Sequence, residues 1–197
     1  MKIAMFGGTF DPIHNGHVAL GKHFADLLGL DRVYVIPTKT PPHKAAAQTP
    51  GEMRLEMCRL AVSDDARFAA SDIELRRQTT SYSFITVSQL LEEHPDARLH
   101  LITGADMFMT FDQWYRFDDL KKLVTVCTVP RDDVSIEQLE LRSAELREMG
   151  CDTFVSDWRP VDISSTLIRC RAAEGLSLEE LVPAKVEEYI REHGLYR

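Results

Sequence analysis

Short apolar runs that stop at glycine or proline, with helical patterns between them, constrain this 197-residue chain more than any other feature. Residues 3–6 form one such run, ended by Gly7-Gly8, as a buried strand of a parallel sheet would be. Residues 32–37, 99–103 and 124–129 repeat the pattern, and weaker strands are expected around Phe68 and over residues 153–156. After the loop at residues 9–14 comes a helix with Val18, Leu20, Phe24, Leu27 and Leu28 on one face, stopped by Gly29. A second helix over 52–62 has Met53, Leu55, Cys58, Leu60 and Ala61 as its apolar positions. Further helices are predicted over 83–93, 136–148, 165–173 and 184–193. Strand and helix alternate, which demands β-α-β crossovers. The fold class is therefore α/β: a doubly wound, mostly parallel sheet with helices on both faces and a small C-terminal helical segment. The length fits a single domain spanning 1–197, with its core at about 1–160 and the remaining helices after it.

In such sheets ligands bind beyond the carboxyl ends of the strands. Phe6, Pro37 and Thr103 mark three of those ends, so the residues just after them are where a site is expected. The formal net charge of −8 argues against a protein that coats nucleic acid, while leaving a small anionic ligand open. No apolar run approaches the roughly 20 residues needed to span a bilayer. Cys58, Cys127, Cys151 and Cys170 show no close spacing, and with no secretory signal they read as free thiols in a reducing cytoplasm. The expectation is a cytoplasmic protein without nucleic-acid or membrane partners.

The loop after the first strand carries the densest chemistry. Gly7 and Gly8 let the backbone approach a ligand closely, and the helix that follows favours negative charge at its start. His14 and His17 are spaced to project on one side, where imidazoles would donate to phosphate oxygens. Nearby anionic charge would favour their protonated forms. The loop lacks the Lys-Ser/Thr of a Walker motif and the spacing of a dinucleotide fingerprint. A metal here would need a third ligand, for which Asp11 and His43 are the candidates. Near the other end, Ser165-Thr166 would open a helix with hydroxyls and N–H groups, and Arg169 follows one turn on. Alone, that second segment is only a capped helix start.

Gly8-Thr9-Phe10-Asp11-Pro12 followed by His14-Asn15-Gly16-His17 resembles the first signature of the HIGH-motif nucleotidylyltransferase superfamily. Ile163-Ser164-Ser165-Thr166-Leu167-Ile168-Arg169 resembles its second. Pro41-Pro42-His43-Lys44, Ser81-Tyr82-Ser83, Gly104-Ala105-Asp106, Trp114-Tyr115 and the closing Gly194-Leu195-Tyr196-Arg197 extend the likeness to the bacterial nicotinate-nucleotide adenylyltransferase family over nearly the whole chain. The resemblance implies a Rossmann-like fold and adenylyl transfer from ATP to nicotinate mononucleotide, with Mg²⁺ bound with ATP. It implies an ATP site of Gly7, Gly8, Thr9, Phe10, His14, His17, Gly104, Asp106, Ile163, Ser165, Thr166 and Arg169, with Asp106 at the ribose. It implies catalytic roles for His14, His17, Lys44 and Arg169, and no resident metal ligands. For the mononucleotide it implies Thr9, Lys44, Ser83, Phe84, Trp114 and Tyr115, with the tryptophan stacking on the pyridine ring.

The chain departs from the family pattern in places. Ser83 replaces threonine, and Ile85 stands where a polar residue is common. Thr128 and Val129 precede Pro130 where the family often has arginine, and Arg131 is placed to substitute from the other side. Other acceptors are nicotinamide mononucleotide and phosphopantetheine, another donor is CTP, and a non-catalytic nucleotide sensor is a different class. A dinucleotide-dependent oxidoreductase would want an acidic residue near the end of the second strand, where Val35-Ile36-Pro37 offers none. Monomer and homo-oligomer are both compatible with the sequence.

Overall fold

Residues 1–39, 47, 49–131 and 133–197 are described by the computed structural model. Its strands are β1 (Lys2–Gly8), β2 (Arg32–Pro37), β3 (Phe68–Ala70), β4 (Arg98–Ile102), β5 (Val124–Thr128) and β6 (Asp152–Val155). They form one sheet in the order β3-β2-β1-β4-β5-β6. Every strand pair is parallel, not merely most of them. The helices are α1 (Asn15–Leu28), α2 (Gly51–Val62), α3 (Ser83–Glu93), α4 (Ala105–Met109), α5 (Phe117–Leu120), α6 (Ile136–Glu148), α7 (Ser165–Ala173) and α8 (Ala184–Glu192).

Side-chain alternation along β1 divides the interior into two cores. Ala4 and Phe6 join a cluster with Phe24 of α1, Met57 and Cys58 of α2, Ile168 of α7 and Ile190 of α8. Ile3 and Met5 face the other way, toward Val87 and Leu90 of α3, Phe108 of α4, and Leu139 and Leu146 of α6. The chain thus winds outward from β1 to β3 with α1 and α2 on one face. It then returns through α3 to β4 and winds outward again with its helices on the opposite face. β1 and β4 are neighbours whose following segments leave on opposite faces, which opens a crevice at their carboxyl ends. The C-terminal helices do not form a separate layer, because they cover the same sheet face as α1 and α2.

Two helix faces differ from the periodic expectation. On α1 the buried positions are Gly16, Leu20, Gly21, Phe24 and Ala25, and Leu27 is exposed. On α2 the buried set is Arg54, Leu55, Met57, Cys58 and Val62, so a charged residue occupies a core position while Met53 is only half-buried. α4, α5 and the 3-10 turn Phe111–Gln113 lie where no helix was predicted. Each is about one turn long, too short for a hydrophobic period to register.

Candidate active site

β1 runs into a loop whose shape is fixed by its own side chains. Phe10 adopts a left-handed backbone (φ 48) and is buried, and the Asp11–Pro12 bond is cis. A Cβ on Gly8 would sit 2.8 Å from the Phe10 ring, so the turn requires glycine there. Around it, the loop's carbonyls are held by other elements. Arg54 Nη1 of α2 donates to Thr9 O at 2.7 Å, Arg169 Nη1 of α7 to Asp11 O at 2.8 Å, and Ser165 Oγ to Pro12 O at 2.9 Å. The two sequence signatures, more than 150 residues apart, are therefore in direct contact.

His14 caps α1 in an unusual way. Its Nδ1 accepts the His17 N–H, and His17 Nδ1 accepts the His14 N–H, both at 3.3 Å. The two rings stack with centroids 3.6 Å apart, and the Phe10 ring stands edge-on to His17 at 5.0 Å. This reciprocal box is usually built by Ser/Thr and Glu/Gln. Here it has a chemical consequence: each Nδ1 is an acceptor, so each neutral ring carries its proton on Nε2. The pair presents two Nε2–H donors of fixed orientation.

His14 is also held neutral. Its pKa is pushed down to about 4, first by burial and then by the positive charge of Arg131. In the unliganded protein His14 is therefore a neutral donor, and the protonated form stays the expectation beside bound anionic charge. Burial likewise lowers His100 and His23. The unfolded chain takes up protons at these histidines below about pH 6.5, and the folded protein takes up fewer, so stability rises with pH across this window. Stability is expected to be full above pH 6.5 and to decline as the pH falls toward 4, the His14 value. Thermal unfolding followed between pH 7 and pH 5 checks this. His14→Gln should flatten the decline, and a profile that is flat in the wild type would contradict it.

On the other side of the loop a cavity of about 160 Å³ opens between β1 and β4. Gly7, Gly8, Thr9, Gly104, Ser83, Trp114 and Tyr115 line it, together with Thr38, Glu74, Ser81, Tyr82 and Met107. Trp114 is set edge-on to Phe111 at 5.3 Å, and Tyr115 stacks on Tyr82 at 4.4 Å. Tyr82, the residue before α3, makes no side-chain cap bond, and the helix start behind Ser83 favours an anion.

Several comparisons bear on this arrangement. Residues 5–171 match the model of the cytidylyltransferase-like family. A probable nicotinate-nucleotide adenylyltransferase of Geobacillus thermodenitrificans (strain NG80-2) is 40% identical, over 99% of this chain and 86% of its own. One of Synechococcus sp. (strain JA-3-3Ab) is 36% identical, over 99% and 94%. The chain belongs to the nicotinate-nucleotide adenylyltransferase family. The fold is also that of Plasmodium falciparum nicotinic acid mononucleotide adenylyltransferase complexed with NaAD, with a TM-score of 0.79 at 16% identity, covering 99% of this chain and 97% of that one.

Among these adenylyltransferase residues, the structure brings His14, His17, Ser165, Thr166 and Arg169 together around the first loop. It sets Thr9, Ser83, Trp114 and Tyr115 along the cavity. Arg169 spends Nη1 on the loop and Nη2 on Thr166 Oγ1 at 3.2 Å, so it holds the loop as well as lending charge. Ile163 is buried in the core, and Arg131 Nη2 donates to its carbonyl at 3.4 Å. Phe84 does not line the cavity; it lies under Arg116, whose guanidinium is 4.3 Å from the ring centroid. Asp106 opens α4 beside Gly104, and a Cβ on that glycine would sit 2.7 Å from Asp106 Oδ1. Pro41, Pro42, His43 and Lys44 lie outside the described residues.

Sequence reasoning missed Arg54, Thr49 and Glu74. Arg54 is 2% exposed, bonding Thr49 O at 3.0 Å as well as Thr9 O. Its only signal was a charged residue between apolar positions of an amphipathic helix. Glu74 is a buried residue of the cavity lining and accepts from the Thr86 hydroxyl at 2.7 Å. Burial raises its pKa.

Proposed function

We propose that this chain, acting as one domain in the cytoplasm, transfers the adenylyl group of ATP to nicotinate mononucleotide. The products are nicotinate adenine dinucleotide and pyrophosphate, a step of NAD biosynthesis. The observation that carries the reading is the direct bonding of α7 to the first loop, which joins a phosphate-gripping segment to a second helix start beside an aromatic cavity. The names of the 34–40% identical relatives agree with it.

The chemistry asks for positioning and charge stabilisation. An oxygen of the mononucleotide's 5′-phosphate forms a bond to the α-phosphorus of ATP in line as the bond to the bridging oxygen breaks, and pyrophosphate leaves with that electron pair. A phosphate monoester is already ionised near neutral pH, so no deprotonated side chain is needed. The Nε2–H groups of His14 and His17 donate to the triphosphate, with His17 toward the α-phosphate, and the helix start adds its positive end. Lys44, Thr166 and Arg169 supply further donors and charge, and Asp106 accepts from the ribose hydroxyls. The donors gathered at the loop are imidazoles, hydroxyls and guanidinium, which suit phosphate oxygens. Mg²⁺ would accordingly arrive on the triphosphate and neutralise its charge.

Nicotinate would stack on Trp114 with its carboxylate near the Ser83 hydroxyl and the start of α3. Trp114→Ala is expected to raise KM for nicotinate mononucleotide roughly tenfold or more while KM for ATP changes little, since base stacking contributes about 1–3 kcal/mol. Steady-state kinetics with each substrate varied in turn measures this. The proposal itself is tested by pyrophosphate release from ATP with nicotinate mononucleotide, nicotinamide mononucleotide and phosphopantetheine side by side. Turnover should be fastest with the nicotinate acceptor. ATP binding without release for any acceptor would favour a nucleotide sensor instead.

A further inference from the structure

The last residues of the chain reach back to the first loop. The Tyr196 hydroxyl donates to Asp11 Oδ1 at 2.7 Å, and the Thr49 N–H donates to Asp11 Oδ2 at 3.4 Å. Tyr196 itself has a left-handed backbone (φ 67), so the chain bends sharply to deliver that ring. Nearby, Asn15 at the start of α1 donates through its N–H to Leu181 O at 2.9 Å and through its amide to Glu180 O at 2.8 Å. The C-terminal segment therefore grips both ends of the stretch that carries the histidines.

Asp11 is 5% exposed, and a buried carboxylate is held where its partners are. It sits between Phe10, a non-glycine residue in left-handed conformation, and Pro12. Such a conformation persists only when its surroundings over-determine it. The Tyr196–Asp11 bond is one of those constraints, beside the Arg54–Thr9, Arg169–Asp11 and Ser165–Pro12 bonds. Burial also keeps the Tyr196 phenol protonated well above its ordinary range, so it remains a donor at any working pH.

We infer that Tyr196 is a positioning residue for the reaction: acting through Asp11, its hydroxyl holds the Thr9–Pro12 turn, and with it the His14–His17 pair, in register with the phosphates of the nucleoside triphosphate. This rests on the adenylyl-transfer reading.

The test compares wild type, Tyr196→Phe, Asp11→Leu and the double variant, in two assays. In turnover with ATP and nicotinate mononucleotide, Y196F should lower kcat about tenfold or more, because small displacements of positioned groups are costly. KM for the mononucleotide should stay within about twofold, since Ser83 and Trp114 are untouched. The double variant should be no slower than the slower single, as both remove one interaction. A merely structural tyrosine would lower the melting temperature while leaving kcat of the folded protein and this coupling unmoved. In calorimetric titration with ATP alone, Y196F should bind several-fold more weakly. Wild-type kcat in Y196F, losses that multiply in the double variant, or unchanged ATP affinity would overturn the inference. If Y196F does not fold, Asp11→Leu carries the same test, and wild-type kcat there overturns it. Failure of the wild type to turn over refutes the adenylyl-transfer reading instead, and the ATP titration then still decides the role of Tyr196.

Discussion

His17→Ala is expected to lower kcat by about a hundredfold to a thousandfold, the range seen when one preorganised donor to a developing charge is removed. The reason lies in the double cap of α1. His17 does more than offer an Nε2–H; its Nδ1 accepts the His14 N–H, and its ring stacks on His14 at 3.6 Å. On the proposed function, removing the imidazole takes away one phosphate donor and releases the other from its fixed orientation. The helix also loses half of its capping box, which costs about 0.5–2 kcal/mol. A protein with ordinary circular dichroism, a modestly lowered melting temperature and severely reduced turnover is the expected combination. Near-normal turnover in folded H17A protein would remove His17 from the chemistry.

The largest stability effect is expected at Arg54. Its guanidinium is 2% exposed and donates to Thr9 O and Thr49 O, with the Asp11 carboxylate close enough to raise its pKa against the lowering effect of burial. Arg54→Met keeps most of the volume and removes the charge. The change leaves Asp11 buried beside a lost cation and two loop carbonyls without their donor. Breaking one partner of a buried charge pair costs about 3–5 kcal/mol. At roughly 2–4 °C per kcal/mol for a chain of this size, the melting temperature should fall by about 6–20 °C. Asp11→Asn in the R54M background should recover part of that loss, because it removes the stranded charge. A shift of only a degree or two in R54M would mean the guanidinium is not what holds the loops.

The sheet and the first-loop site were legible because both leave periodic or local marks. Apolar runs stopped by Gly7 and Gly104 announced β1 and β4, and the segment from Gly8 to His17 showed two histidines at a helix start. What escaped was set by tertiary contact. Nothing local to Arg54 shows that its guanidinium pins two loops, since those partners are 45 and 5 residues away in the chain. The neutrality of His14 depends on burial and on Arg131, which lies 117 positions downstream. Tyr196 looked like a chain-end motif until its hydroxyl met Asp11. The single-turn helices α4 and α5 escaped because one turn has no repeat to detect.

Nitrogen-15 NMR of the imidazoles of His14 and His17 at neutral pH, without and with ATP, reads the proposed phosphate grip at its source. His14 should be neutral, both rings should carry a proton on Nε2, and both Nε2–H signals should shift when ATP binds. A proton on Nδ1 of either ring, or rings whose signals ignore ATP, would contradict the site described above.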